Sequence, residues 1–201
     1  NMSPINPIVS LWTKDYFPKK SEKLEELNLF AVLKHCEEID ASTPKGKSGS
    51  IFPYLSSSID SSEKYSDGVL FIDFDHCSEV SKTIYDSFDK LCDTLPNILG
   101  VNYSYSGNLH FYMYDSVVKD QPQKYGERNT FWMCCLAQSI KKITGIDLRT
   151  IEGCMDPHSK YFTQRLFLSR SSFRWNVNCC ALTISKSDEK RIKTEYHKWF
   201  E

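Results

Sequence analysis

The run Val69-Leu70-Phe71-Ile72-Asp73-Phe74-Asp75 constrains this chain more than any other stretch. It opens after Asp67-Gly68 and is built from large apolar residues, the mark of a short buried strand. Residues two apart on a strand share a face. Asp73 and Asp75 therefore project together from the strand's end, while Ile72 and Phe74 turn to the other side. Two carboxylates held so close repel each other and lose hydration. A divalent cation relieves both costs, and hard oxygen donors suit Mg²⁺ or Mn²⁺. The rival reading of the same residues is a strand that ends in two solvated acids.

With 201 residues the chain can bury one substantial core or form at most two small domains. Its formal net charge of −1 excludes a basic field spread over the whole surface, so any nucleic-acid contact must come from a local patch. The eight cysteines have no CxxC spacing and no Cys/His ladder suited to zinc. No signal peptide is recognisable and no apolar run is long enough to span a bilayer. The expectation is a cytoplasmic protein with reduced thiols and no membrane partner.

Taken in order, Ile8–Trp12 reads as a first strand. A helical stripe follows from Ser21 through Leu24, Leu27, Ala31 and Cys36, ending near Asp40. The segment Ser42 to Ser50 is a turn-rich loop carrying Lys45 and Lys47. It lacks the spacing of a Walker A loop and is either a solvated connection or a phosphate contact. Val80, Ile84, Phe88, Leu91 and Leu95 predict an amphipathic helix over 78–95, stopped by Pro96. Strands at 99–105 and 109–114 are joined by the turn Ser106-Gly107-Asn108. In the second strand His110, Tyr112 and Tyr114 alternate with Leu109, Phe111 and Met113. A helix from Asn129 or Thr130 is capped by Gly145. Brief strands at 147–151, 165–169 and 176–185 and a terminal helix at 188–200 complete the reading. The fold class expected is α/β (α+β), a mixed sheet flanked by helices. The 69–75 strand should be central, with the 109–114 strand beside it bringing Asp75 and His110 to one cleft.

Three elements then stand in order: Asp73-Phe74-Asp75, Ser106-Gly107-Asn108-Leu109-His110, and a later acid at Asp156. In this the chain resembles the archaeo-eukaryotic primase superfamily, with its strand-terminal DxD or DxE, its SxH-type motif and its third acid. It is similar in particular to the primase-like N-terminal domain of virulence-associated-E-type proteins of mobile elements. That likeness extends to Thr43-Pro44, Gly49 and Phe52 in the loop, to Asp67-Gly68, and to Gln164-Arg165-Leu166-Phe167-Leu168-Ser169.

The resemblance implies one primase–polymerase-like domain over 1–201. Its parts would be an N-terminal lobe (1–66), a primase/RRM-like catalytic core (67–172) and a C-terminal strand and helix (173–201). It makes Asp73, Asp75 and Asp156 the catalytic ligands of Mg²⁺ or Mn²⁺. Ser106, Gly107 and His110 would bind the nucleoside triphosphate, and Arg165 a phosphate of nucleotide or template, with Lys45 and Lys47 on template phosphate. The implied activity joins nucleotides on a single-stranded DNA template during replication of a plasmid or mobile element, beside a helicase or other replication partner. Two further readings compete. One is a catalytically inactive primase-like module that binds nucleic acid or protein. The other is a glycosyltransferase, whose DxD also holds Mn²⁺ but which has no role for the Ser106–His110 element. Residue by residue, plainer roles exist: His110 as a satisfied structural histidine, Arg165 as a partner of Glu152, and the tyrosines of the hairpin as sheet-face packing.

Overall fold

The computed structural model describes residues 5–6, 8–13, 23–28, 31, 51–54, 68–103, 107–156 and 173–201. Strands β1 (Ile8–Thr13), β2 (Lys23–Asn28) and β3 (Ile51–Tyr54) form a three-stranded antiparallel sheet in the order β2-β1-β3. The second sheet carries the candidate site. Its chain order is β4 (Val69–Phe74), α1 (Ser81–Asp86), α2 (Phe88–Thr94), β5 (Ile98–Tyr103) and β6 (Leu109–Tyr114). Then come α3 (Ser116–Asp120), α4 (Tyr125–Thr144), β7 (Phe173–Trp175) and α5 (Lys186–Glu195). Spatially its strands run β4-β6-β5-β7, each neighbouring pair antiparallel. Because β6 is antiparallel to both β4 and β5, those two strands run the same way with β6 between them. The crossover through α1 and α2 makes a split β-α-β unit. The expected class of helices packed on a sheet is the class that forms, and the mixed sheet narrows to one whose described pairings are all antiparallel.

Alternation along β4 sorts its side chains as the sequence predicts. Leu70, Ile72 and Phe74 are buried and face the helices, with Ile84, Phe88, Leu91, Trp132, Leu136, Ile140 and Ile192 in the same core. Each such side chain taken out of water contributes about 1.5–3 kcal/mol. On the other face Val69, Leu99, Tyr112 and Cys179 form a smaller cluster, flanked by Phe71, Tyr114, Phe173 and Trp175. None of the described helices is long and apolar enough to cross a membrane.

Strand β4 lies at the edge of the four-stranded sheet and not at its centre. An open edge leaves backbone groups unsatisfied, and here two other elements satisfy them. The Phe71 amide donates to the Tyr125 hydroxyl (3.1 Å), and its carbonyl accepts from Asn129 Nδ2 (2.6 Å). Further along, Phe74 forms an isolated antiparallel bridge with Met155, and the Asp75 amide donates to the Cys154 carbonyl (3.2 Å). Asn129→Ala would leave the Phe71 carbonyl without its side-chain donor, at a cost of about 1–3 kcal/mol. The expected result is a lower denaturant midpoint at unchanged m-value.

Local patterns misplace several elements. Residues 23–28 are strand β2 and not the start of a helix: with apolar positions only three apart, the pattern fits either state over so short a window, and pairing with β1 decides it. The helix expected over 78–95 breaks into α1 and α2 at Ser87, whose hydroxyl bonds back to the Thr83 carbonyl (3.0 Å). Residues 148–150 form a 3₁₀ turn and not a strand, since the Asp147 carboxylate accepts from the Arg149 amide (3.1 Å). The last strand precedes Asn176 instead of following it. Asn176 turns the chain away from the sheet, its Oδ1 accepting from the Asn178 amide (3.1 Å) while its Nδ2 donates to Ile98 (2.9 Å). Helix α4 begins at Tyr125, earlier than predicted, and ends as predicted at Gly145 with φ 78°.

Two ionic arrangements lock the helices. Asp115 caps α3 through the Val117 amide (2.8 Å) and also accepts from Arg128 Nε and Trp132 Nε1, both at 2.6 Å. Asp147 takes a two-pronged bond from Arg149 (2.9 and 2.8 Å), and the same guanidinium reaches Glu195 (3.3 Å) and lies over the Tyr196 ring. The Arg149 hydrogen bonds hold the Asp147 carboxyl down from its usual 3.8 to about 2. A depressed folded-state pKa stabilises above the unfolded value and is lost as the carboxylate protonates. Wild type should therefore melt above Asp147→Asn at neutral pH, with the gap closing as pH falls from about 4 through about 2. Thermal melts of both proteins across that range check it.

Candidate functional site

The β4–β6 register sets Asp73 opposite His110, and the β5–β6 and β5–β7 registers set His110 opposite Asn102 and Asn102 opposite Phe173. Residues directly opposite in an antiparallel sheet share a face. One row therefore crosses all four strands: Asp73, His110, Asn102, Phe173. His110 Nε2 lies 3.2 Å from Asp73 Oδ1, with the two side chains only 11% and 16% exposed. The His110 ring also lies against Phe71, centroids 5.2 Å apart. Asp75, two residues beyond Asp73, sits on this same face at the strand's end.

Three loops converge on that end. The Phe74–Met155 bridge continues in the antiparallel sense to place Asp156 beside Asp73. Gly107, at φ 89°, lets its loop approach Ser78 so closely that a Cβ would come within 2.8 Å of the Ser78 Cβ. Gly153, at φ 72°, lies under the His76 ring, where a Cβ would meet Cδ2 at 3.0 Å. His76 itself has φ 54°, a left-handed conformation that non-glycine residues seldom adopt. The segment after Asp75 is thus held between the Gly107 turn and the 153–156 loop.

Beneath it lie two buried thiols. Cys77 Sγ donates to the Phe74 carbonyl (3.2 Å), and Cys154 lies beside it. Contact with Cys154 draws the Cys77 thiol below its usual range. Cys154 is pushed up, first by the same contact and then by burial. The Phe74–Met155 bridge and the Asp75–Cys154 backbone bond fasten the end of β4 to the loop that bears Asp156.

Of the residues singled out in the sequence, Asp73, Asp75, His110, Gly107 and Asp156 are gathered at this one end of the sheet. It is Asp73, not Asp75, that faces His110. Ser106, Arg165, Lys45 and Lys47 lie outside the described residues. Asn102, fully buried in the row, escaped the sequence reading. Its one signal was a polar residue inside the apolar run Ile98-Leu99-Gly100-Val101-Asn102. The Cys77–Cys154 contact left no local signal at all.

A metal would find hard carboxylate oxygens from Asp73 and Asp75 on one face. Among the described residues, no group of three or more His, Cys, Asp or Glu side chains is disposed to hold an ion. Two carboxylates with the remaining positions filled by phosphate and water are a normal setting for Mg²⁺, which rarely uses an all-protein cage. In donor type the two carboxylates suit a hard cation, and among the described residues no third ligand joins them.

No family model matches the chain, and no curated protein matches it either.

Proposed function

We propose that this protein is a divalent-metal-dependent nucleotidyltransferase of the primase type, joining nucleotides on a single-stranded template. The observation that carries the reading is the convergence of four residues scattered over 84 positions of sequence. The β4–β6 pairing and the Phe74–Met155 bridge bring Asp73, Asp75, His110 and Asp156 to one sheet edge. Within this set the Asp73 carboxylate and the His110 imidazole are in contact at 3.2 Å.

In this reading Asp73 and Asp75 hold Mg²⁺ or Mn²⁺, with Asp156 completing the acidic rim. The metal supplies charge neutralisation at the phosphates and activation of the attacking oxygen. His110 has two tasks. Its Nε2 contact orients the Asp73 carboxylate, and a positive charge on its imidazole would act on an incoming triphosphate through space. Gly107, with no side chain and a positive φ, lets its turn pack against Ser78 beside the carboxylates. Burial of His110 keeps water from competing for the same contacts.

The absence of a three-residue metal group among the described residues favours a second reading, a primase-like module that binds nucleic acid or protein without catalysis. One assay separates them: incorporation of labelled nucleotides on a primed or unprimed single-stranded DNA template with Mn²⁺ or Mg²⁺. Metal-dependent extension supports the enzyme. Template binding with no incorporation under any metal supports the module.

A further inference from the structure

Helices α4 and α5, with the chain that joins β7 to α5, enclose a cleft that shares no residue with the carboxylate edge. It measures about 620 Å³, within the range of about 300–1,000 Å³ usual for small-molecule sites. One face of each helix forms its walls. Cys135, Ser139 and Lys142 recur at helical spacing on α4, and Asp188, Arg191 and Ile192 do so on α5. Between them Leu95, Leu182 and Ile184 supply apolar surface, continuous with the main core.

Ser139 is only 6% exposed and lines this cleft. On the same helix Thr130 and Thr144 return their hydroxyls to the carbonyl four residues back (3.1 and 2.6 Å). Ser139 makes no such bond, and among the described residues nothing donates to its hydroxyl or accepts from it. Buried hydroxyls are ordinarily hydrogen-bonded, so this one stands ready for a polar atom that enters the cleft.

The charge around it has a sign. Lys141, Lys142 and Arg191 line the cleft against one carboxylate, Asp188. Asp188 is engaged by Arg191 (3.0 Å) and by the Ser185 hydroxyl (3.0 Å), and Lys141 reaches Asp147 (3.5 Å). Both ion pairs lie at the surface, where such pairs contribute little and yield to a better partner. Lys142, one turn on from Ser139, has no carboxylate partner among the described residues. A cationic ligand would meet three like charges, and a plain hydrocarbon would leave the Ser139 hydroxyl unmet. Nearly sealed as it is, that hydroxyl admits a slender group and not a folded surface.

We propose that the α4–α5 cleft binds a small amphipathic anion. Its apolar body lies against Leu95, Leu182 and Ile184, a polar atom meets the Ser139 hydroxyl, and the negative head sits between Lys142 and Arg191. The site is independent of the function proposed above.

The test is titration of the full chain with anilinonaphthalene sulfonate, read by dye fluorescence, followed by displacement with decanoate or with decylammonium. Neither metal nor nucleotide is present, so the result stands apart from the carboxylate site. The variants are Thr183→Trp, which fills the cleft from its exposed rim, Lys142→Glu, Lys142→Arg and Ser139→Ala. Lys124→Glu, beside the other end of α4, repeats the charge change away from the cleft. Thr183, Lys142 and Lys124 are all exposed, and circular dichroism checks that each variant folds. Wild type should bind the dye and release it to decanoate but not to decylammonium. Thr183→Trp should abolish binding. Lys142→Glu should weaken it about ten- to a hundredfold, and Ser139→Ala about two- to tenfold. Lys142→Arg and Lys124→Glu should bind as wild type does. Wild type that binds no dye, or unchanged affinity in Thr183→Trp, Lys142→Glu or Ser139→Ala, overturns the site. So does an equal loss in Lys124→Glu or equal displacement by decylammonium.

Discussion

Asp73→Asn and Asp75→Asn should each lower templated nucleotide addition by about 10²–10³-fold, the scale of losing one preorganised charge contact at a reacting centre. The cause lies in where the two carboxylates sit. They share the half-buried end of β4, Asp73 with only 16% of its side chain exposed, where water screens their mutual repulsion poorly. In the proposed reading a divalent ion and a triphosphate would together relieve that repulsion, so their binding should stabilise the fold. At a ligand concentration about 100 times Kd the gain is about 2.7 kcal/mol, or about 5–10 °C in melting temperature for a chain of this size. Wild type should show that rise with Mn²⁺ and nucleotide, and each Asn variant should lose most of it. Without metal the variants should melt at or slightly above wild type, because one of two repelling charges is gone. A wild-type melting curve indifferent to Mn²⁺ plus nucleotide would remove the main support for a catalytic site.

Asp115→Ala should be the most destabilising single change outside the apolar core. Its carboxylate is nearly sealed from solvent, with the side chain 3% exposed, and one Oδ2 accepts from both Arg128 Nε and Trp132 Nε1. Removing it strands a partly buried guanidinium and an indole N–H and uncaps α3. Breaking such a pair from one side costs about 3–5 kcal/mol, or about 6–20 °C. The penalty arises mainly from the charge left behind, so removing Arg128 as well should be less damaging than the sum of the two single changes. A double-mutant cycle with Asp115→Ala and Arg128→Ala should therefore give a coupling of about 1–3 kcal/mol. Strict additivity would mean that the Asp115–Arg128 pair contributes nothing beyond the helix cap and the Trp132 bond.

Much of this was legible in the order of residues. The period-two alternation of 69–75 determined that Asp73 and Asp75 share a face and that Ile72 and Phe74 enter the core, because a strand offers its side chains only two directions. The hairpin strand at 109–114, the apolar stripe of α4 and the glycine that ends it at position 145 were likewise readable from local pattern. What no local pattern carried was which backbone would satisfy which. The position of β4 at an edge, the pairing of Asp73 with His110, and the Met155 bridge that brings Asp156 alongside are decided by hydrogen-bond partners tens of residues away. The same holds for β2, where an ambiguous apolar spacing became a strand because β1 offered it an edge. Local sequence sets the direction of each side chain; register and neighbourhood come from burying the whole sheet at once, and the candidate site lies where those choices meet.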